Sequence, residues 1–123
     1  MLSESTSELA LVEANPSRQP EPKQSRAAIR RCRSAWKRSY DAYLEGKKGT
    51  GIDKMFASHQ AGPAYCEAMP PLDDYESIRC FIACVAHGIL IEAIPQKRAN
   101  QLLYAAQVAL SALHSESKAR KSA

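Results

Sequence analysis

The sequence predicts an all-α fold, a small bundle of about four helices with a disordered N-terminal arm. Apolar residues recur at helical spacings of three and four through most of the chain. Clusters of glycine and proline divide this pattern into segments, and none of them alternates apolar and polar residues as a half-buried strand does. With 123 residues we expect one domain. We place it at residues 25–115, between the arm, residues 1–24, and a frayed tail, residues 116–123.

The predicted arm is rich in serine, glutamate and proline, with Pro16, Pro20 and Pro22 close together. Such a composition buries too little apolar area to offset the conformational entropy of the chain, so we predict disorder. The arm holds four glutamates against two basic residues, and is therefore acidic. Residues 25–48 hold eight basic residues against two acidic ones, so the positive charge of the chain is concentrated there.

The first helix is predicted over residues 26–44, with Ser25 as its N-cap. Gly46 ends the helix, and three glycines make residues 46–51 a flexible basic loop. Five apolar or aromatic residues at spacings of 3, 4, 4 and 3 share one face of this helix: Ile29, Cys32, Trp36, Tyr40 and Tyr43.

The second helical segment is predicted to begin near Ile52, which forms a short apolar face with Met55 and Phe56. We predict an interruption at Gly62 and Pro63. Proline lacks a backbone donor and disfavours the helical conformation at the residue before it.

The third helix is predicted to begin at a cap, Asp73 or Asp74, and to run to about Ala93. Asp73 and Glu76 have the spacing of a capping box. Gly88 lies inside this helix at a cost of about 1 kcal/mol relative to alanine. We therefore expect a neighbouring element to pack closely there.

Pro95 is well placed to open a fourth helix over residues 96–114. Because the connection is short, the third and fourth helices should form an antiparallel hairpin. The predicted buried stripe of the fourth helix consists of Leu102, Leu103, Ala106, Leu110 and Leu113.

The third helix is apolar on two opposed faces when its residues are placed 100° apart. One face is aliphatic and is predicted to be core: Ile78, Ile82, Val85 and Ile89, with Phe81 beside them. The opposite face carries small or polarisable side chains: Cys80, Cys84, His87 and Ile91.

Cys80, Cys84 and His87 are candidate ligands of a metal or redox site, with Cys66 or Cys32 as a fourth ligand. Zinc binds cysteine and histidine tetrahedrally. The alternative interpretation is that these cysteines are small buried hydrophobic residues and that the histidine is packed in the core. The spacing favours the alternative, because structural zinc sites usually take two cysteines from a tight turn. We therefore predict no cofactor.

Four basic residues share one side of the first helix and form a candidate nucleic-acid-binding stripe: Arg26, Arg30, Arg33 and Lys37. The alternative is a solvated face whose long stems cover the apolar edge of the helix. No helix-turn-helix, zinc-finger, basic-zipper or RNP-type motif accompanies the stripe.

Trp36, Tyr40 and Tyr43, together with Ile91, are a candidate interaction surface, because aromatic residues favour interfaces. At helical spacing the aromatic residues also fit a core. The third helix is unusually apolar for a chain too short to cover it fully, so self-association or a protein partner would bury the excess. A non-enzymatic interaction module is therefore the leading hypothesis, ahead of nucleic-acid binding and a metal or redox site.

We find no catalytic residues by motif, since the chain has no phosphate-binding loop, nucleophile elbow, H-E-x-x-H pair or dinucleotide-binding glycine pattern. The longest apolar run is about a dozen residues, below the roughly 20 that a membrane span needs. No secretory signal is recognisable. We predict a cytoplasmic protein with reduced thiols and without a membrane partner.

Four segments carry a resemblance to a known group of proteins: A-W-K-R at residues 35–38, A-M-P-P-L at 68–72, I-R-C-F-I-A-C-V-A-H-G at 78–88 and L-L-Y-A-A-Q-V-A-L at 102–110. The chain resembles a group of short, uncharacterised bacterial all-α proteins. The resemblance implies a compact helical bacterial module and brings no known activity, cofactor or ligand with it.

Overall fold

The computed structural model describes residues 23–122, and these form four helices joined by short connections. The helices are α1 (Lys23–Leu44), α2 (Gly51–Glu67), α3 (Tyr75–Leu90) and α4 (Gln96–Ser122). The predicted all-α bundle of about four helices is confirmed for this part of the chain. The predicted disordered arm lies outside the described residues, apart from positions 23 and 24, which begin α1.

Helix α1 makes the most extensive contacts, with α2 and with α3, while α4 rests mainly on α3. The Ser39 hydroxyl of α1 donates to the Gln60 carbonyl of α2 at 3.2 Å. Helices α1 and α3 run parallel, because Ser25 contacts Cys80 near one end and Trp36 shares a groove with Ile91 near the other. The fourth helix is consequently covered on one side only.

Helix α1 begins three residues before the predicted start, and Ser25 is not its N-cap. Ser25 lies inside the helix and is buried, and its hydroxyl donates to the Cys80 sulfur at 3.6 Å. The N-cap prediction was wrong because the hydroxyl of Ser25 bonds to a residue of a neighbouring helix and not to the backbone of its own helix. That contact is not visible in the local sequence.

Helix α2 opens with a capping box that was not predicted. The Thr50 hydroxyl accepts from the Asp53 backbone N–H at 3.2 Å, and the Asp53 carboxylate accepts from the Thr50 N–H, also at 3.2 Å. These reciprocal bonds satisfy two of the donors that a helix start leaves unpaired.

The predicted break at Gly62 and Pro63 is wrong, since α2 continues through both residues to Glu67. The buried side of α2 is built from Ala57, Ala61, Gly62 and Tyr65. An ideal Cβ at Gly62 would lie 2.9 Å from the Ala93 carbonyl oxygen, so the backbones approach closely there. Packing on both sides of Pro63 therefore outweighs its local penalty, and the exposed Pro63 ring adds no bulk to the interior.

Helix α3 starts one residue later than the proposed capping box requires. Asp74 is the N-cap, and its carboxylate accepts from the Ser77 N–H at 2.7 Å. The box between Asp73 and Glu76 was therefore a wrong prediction, although the alternative cap, Asp74, was correct. A carboxylate at this position also stabilises the positive end of the helix dipole.

Helix α3 ends at Leu90, before the predicted end at Ala93, because the chain turns through a left-handed residue. Glu92 has a φ of 59°. The Ala93 N–H donates to the Gly88 carbonyl at 2.8 Å, and the Glu92 N–H donates to the Ile89 carbonyl at 3.1 Å. This pair of bonds defines a Schellman motif, which normally has glycine at the left-handed position.

Replacing Glu92 with glycine should raise the free energy of unfolding by roughly 0.5–1 kcal/mol, because glycine adopts positive φ without a Cβ clash. Urea denaturation followed by circular dichroism measures the change. Glu67→Gly is the matched control, since Glu67 is the last residue of α2, where glycine should destabilise the fold. Equal shifts in both variants would contradict this account of the turn.

Helix α4 begins at Gln96, immediately after Pro95, as predicted. It continues to Ser122, so the predicted end near His114 is wrong, and the predicted frayed tail is helical from residue 116 to residue 122. Glu116 pairs with Arg120 one turn later at 3.8 Å. Basic residues in the last turn complement the negative end of the helix dipole, which favours this extension.

Helix α3 supplies both of its faces to the core, as the two-faced pattern predicts. Ile78 and Val85 are fully buried on the aliphatic face, although Ile82 on that face remains partly exposed. On the opposite face Cys80 and Cys84 are buried. Twelve buried residues form one contiguous core cluster: Ala28, Cys32, Tyr65, Ile78, Cys80, Phe81, Cys84, Val85, Ala93, Ile94, Ala99 and Ala106.

The expectation of close packing at Gly88 is confirmed. An ideal Cβ there would lie 2.5 Å from a methyl carbon of Ile94 and 3.0 Å from a ring carbon of Tyr65. The missing side chain of Gly88 therefore makes room for α2 and for the connection between α3 and α4.

Candidate interaction surfaces

The cysteine and histidine stripe of α3 lies against α1 and belongs largely to the interior. Cys80 accepts a hydrogen bond from Ser25, and Cys84 is fully buried beside Cys32. His87 is half-buried, and its Nε2 has no hydrogen-bond partner among residues 23–122. Helix α1 thus covers most of the face that the sequence left open for a partner.

The structure does not bring Cys80, Cys84 and His87 together as metal ligands. Within residues 23–122, no three or more histidine, cysteine, aspartate or glutamate side chains are grouped to hold an ion. Interaction with the neighbouring Cys32 thiol, together with burial, raises the pKa of the Cys84 thiol. Cys80 and Cys84 are both buried, so the geometry favours the interpretation of these cysteines as core residues.

Tyr65 holds α2 to α3 at the centre of the fold. Its hydroxyl donates to the Cys84 carbonyl at 2.6 Å, and the side chain is fully buried. Burial raises the pKa of Tyr65, and the neighbouring Cys32 sulfur adds to the effect. The phenol therefore stays protonated as a hydrogen-bond donor, which suits a structural role.

A groove on α1 combines residues from two of the predicted sites. We define the α1 groove by Arg33, Trp36, Lys37, Tyr40 and Ile91, and its volume is about 450 Å³. The rings of Trp36 and Tyr40 are stacked, with centroids 4.8 Å apart and planes inclined by 14°. Ile91, just after α3, completes the apolar floor, and the two cations lie at its rim.

Tyr43, the remaining aromatic residue of the predicted interaction surface, lies outside the α1 groove. The Lys47 ammonium lies over its ring, 4.1 Å from the centroid, and donates to its carbonyl at 2.7 Å. Tyr43 therefore anchors the loop that follows α1. Trp36, Tyr40 and Ile91 line the same groove, and their role as an interaction surface stays a prediction.

The predicted basic stripe is exposed along its whole length on α1. Lys37 pairs with Asp41 one turn later at 3.2 Å. Arg26, Arg30 and Arg33 form no ion pair with another residue of the described chain. Three cations are thus available to an anionic partner, and both interpretations of the stripe stay open.

A third surface, which we call the α2 face, consists of Ile52, Met55 and Phe56. The sequence predicts that these residues share one face, and the structure turns that face to solvent, with exposures of 65%, 58% and 47%. The opposite side of α2 carries the small residues Ala57 and Ala61, which let the helix approach α1 closely. In the sequence, the pattern that indicates the buried side of α2 is this pair of alanines, four residues apart.

A cleft of about 770 Å³ lies between α2 and the connection from α3 to α4. Its lining includes His59, Cys66, Glu92 and Arg98, which were not predicted to share a site. Burial raises the pKa of the Cys66 thiol, and the nearby Arg98 opposes this effect. The thiol therefore stays protonated and is not an activated nucleophile.

No protein-family model, curated protein or solved structure matches the chain. The resemblance to short bacterial all-α proteins therefore stays a prediction. Among residues 23–122, no helix is both long and apolar enough to cross a membrane.

Proposed function

We propose that the protein is a non-enzymatic helical interaction module that self-associates through the α2 face. The observation that carries the proposal is the exposure of Ile52, Met55 and Phe56 side by side on the outward side of one helix. Adjoining exposed apolar residues, unlike single scattered ones, are a feature of protein–protein interaction sites. Aromatic residues and methionine are also the types enriched at interface centres.

A second copy of the chain is the partner that the charge distribution favours. Helix α2 contains one lysine and two acidic residues, so two α2 faces meet without like-charge repulsion. Helix α1 carries seven basic residues and one acidic residue, so it would repel its counterpart in a second copy. A two-fold dimer requires a patch that complements itself, and a short apolar stripe on a helix meets that requirement.

The proposal includes a cytoplasmic location for the protein. All four cysteines, at positions 32, 66, 80 and 84, are free thiols, and three of them are buried. Free thiols persist in reducing compartments, which supports the predicted cytoplasmic location. By its sequence resemblance, we assign the module to bacteria.

Phe56→Asp should weaken the dimer strongly. The phenylalanine contributes about 1–1.5 kcal/mol of apolar burial per copy and occurs twice at a two-fold interface, so the dimer Kd should rise roughly 30- to 150-fold. Sedimentation equilibrium of wild type and variant over a wide concentration range measures the change. Circular dichroism should show an unchanged helix content, because the side chain lies outside the core.

Val108→Asp is the matched control. Val108 lies on α4 and is 51% exposed, close to the value for Phe56, but it is not part of the α2 face. Its dimer Kd should equal that of the wild type. A wild type that sediments as a strict monomer at high micromolar concentration would overturn the proposal, as would equal weakening by both variants.

A further inference from the structure

The α1 groove has the features of a docking site for an acidic, apolar peptide segment. Its floor is formed by Trp36, Tyr40 and Ile91. Its rim carries Arg33 and Lys37 together with Asp41, which pairs with Lys37. The basic stripe continues from this rim towards the start of α1, and its arginines form no ion pairs within the described chain. An occupant therefore needs apolar side chains for the floor and carboxylates for the rim.

The chain contains a segment with this composition before Lys23, outside the described residues. Residues 7–14 read S-E-L-A-L-V-E-A and bring together Leu9, Leu11 and Val12. Glu8 and Glu13 flank these three apolar residues. The three apolar residues of the segment therefore match the apolar floor, and its two glutamates complement the net positive charge of the rim and of the basic stripe.

The connecting chain is long enough for this segment to reach the groove. From Lys23 to Trp36, α1 advances thirteen residues, or about 20 Å at about 1.5 Å per residue. From Ala14 to Lys23 the chain advances nine residues, which span up to about 30 Å when extended. The segment can therefore fold back along the basic stripe to the groove of its own molecule.

We propose that residues 7–14 dock in the α1 groove of the same molecule, with Leu9, Leu11 and Val12 as candidate anchors on the Trp36, Tyr40 and Ile91 floor. The carboxylates of the segment then lie against the cations of α1. This docking uses a different surface from the α2 face and is independent of the proposed self-association.

Two other occupants fit the groove less well. A second copy of the groove would bring two cationic rims together, which is repulsive. For a single-stranded nucleic acid, the mutual stacking of Trp36 and Tyr40 leaves at most one face of each ring for a base. Base stacking on aromatic faces is one of the two attractions in that kind of site, beside contacts to the phosphate backbone.

Trp36 is the only tryptophan of the chain, so its fluorescence reports directly on the groove. Acrylamide quenching of the full-length protein is the test, with the double variant Leu11→Asp and Val12→Asp. Loss of two apolar anchors should lower the ratio of docked to free segment by at least about tenfold. The quenching constant of Trp36 should then rise clearly above that of the wild type.

The control is the double variant Leu2→Asp and Ser3→Asp, which makes the same number of charge changes outside residues 7–14. It should leave the quenching constant at the wild-type value. Equal constants for the wild type and the Leu11→Asp, Val12→Asp variant would overturn the proposal. So would shielding of Trp36 that grows with protein concentration, because a tethered segment docks independently of concentration.

Two further measurements separate this docking from the other hypotheses. The shielding of Trp36 should persist in the Phe56→Asp monomer, so failure of self-association does not remove it. A thymidine oligonucleotide at low salt should not quench Trp36 of the wild type. Salt-dependent quenching by that oligonucleotide would assign the groove to nucleic acid and overturn the proposal.

Discussion

Replacing Tyr65 with alanine should lower the free energy of unfolding by roughly 3–5 kcal/mol, the usual cost of removing a buried aromatic side chain. Tyr65 is fully buried, and its ring contacts the position of Gly88. Truncation leaves a cavity between α2 and α3 that neighbouring side chains fill only in part. For a domain of about 100 residues, whose total stability is about 5–15 kcal/mol, this is a large loss.

Tyr65→Phe should separate the contribution of the hydroxyl from that of the ring. The phenol donates to the Cys84 carbonyl at 2.6 Å, and its loss should cost about 1–1.5 kcal/mol. The carbonyl lies inside α3 and keeps its helical partner, so it is not left unsatisfied. Phenylalanine preserves the ring and its packing, so this variant should be much more stable than Tyr65→Ala.

Urea denaturation followed by circular dichroism measures both variants. Tyr104→Ala is the control, because Tyr104 is 70% exposed on α4 and should change stability by less than about 0.5 kcal/mol. The expected order of stability is wild type, then Tyr65→Phe, then Tyr65→Ala. A Tyr65→Ala variant as stable as Tyr104→Ala would contradict the position of Tyr65 in the core.

Gly88→Val should destabilise the fold by roughly 2–3 kcal/mol through overpacking. A Cβ at Gly88 alone would lie 2.5 and 2.7 Å from two side-chain carbons of Ile94, and 3.0 Å from Tyr65. The β-branched valine adds two further methyl groups to the same space. The gain in helix propensity over glycine is less than about 1 kcal/mol and does not compensate.

The control for this variant is Gly51→Val, at the first residue of α2, where a Cβ would meet no atom within 4 Å. Its stability should lie within about 0.5 kcal/mol of the wild type. Combining Gly88→Val with Ile94→Ala should recover part of the loss, because the smaller side chain relieves the clash. Strictly additive losses in urea denaturation would contradict the proposed contact.

Local pattern was sufficient to predict the parts of the fold that depend on neighbouring residues. The 3.6-residue period indicated all-α architecture and the two buried faces of α3, because periodicity reports which side of a helix is apolar. Pro95 indicated the start of α4, since proline suits the start of a helix and is disfavoured in its interior. Gly88 indicated close packing, because glycine in a helix usually has a steric reason.

The wrong predictions concern features decided by contacts distant in sequence. Pro63 stays inside α2 because packing at Gly62 and Tyr65 fixes the helix on both sides of it. Ser25 is satisfied by Cys80, a residue 55 positions away. Glu92 adopts positive φ at a position that glycine usually occupies, and a glycine there would have indicated the end of α3.

The candidate sites were predicted as separate residues and not as surfaces. Trp36 and Ile91 were both proposed as interaction residues, but only the parallel arrangement of α1 and α3 shows that they share a groove with Arg33. The sequence indicated that the α2 face is apolar but did not indicate that it faces solvent. Which side of a helix faces solvent depends on the size of the residues on the other side, here Ala57 and Ala61.

The unequal support of the helices has a consequence for the cooperativity of unfolding. Helix α4 has 27 residues, about 40 Å of helix, and rests mainly on one neighbour, whereas α1 is held between two. Segments with few tertiary contacts open at a lower free energy than the rest of a domain. The C-terminal turns of α4 should therefore exchange their amide hydrogens through local opening, while α1 and α3 exchange only through global unfolding.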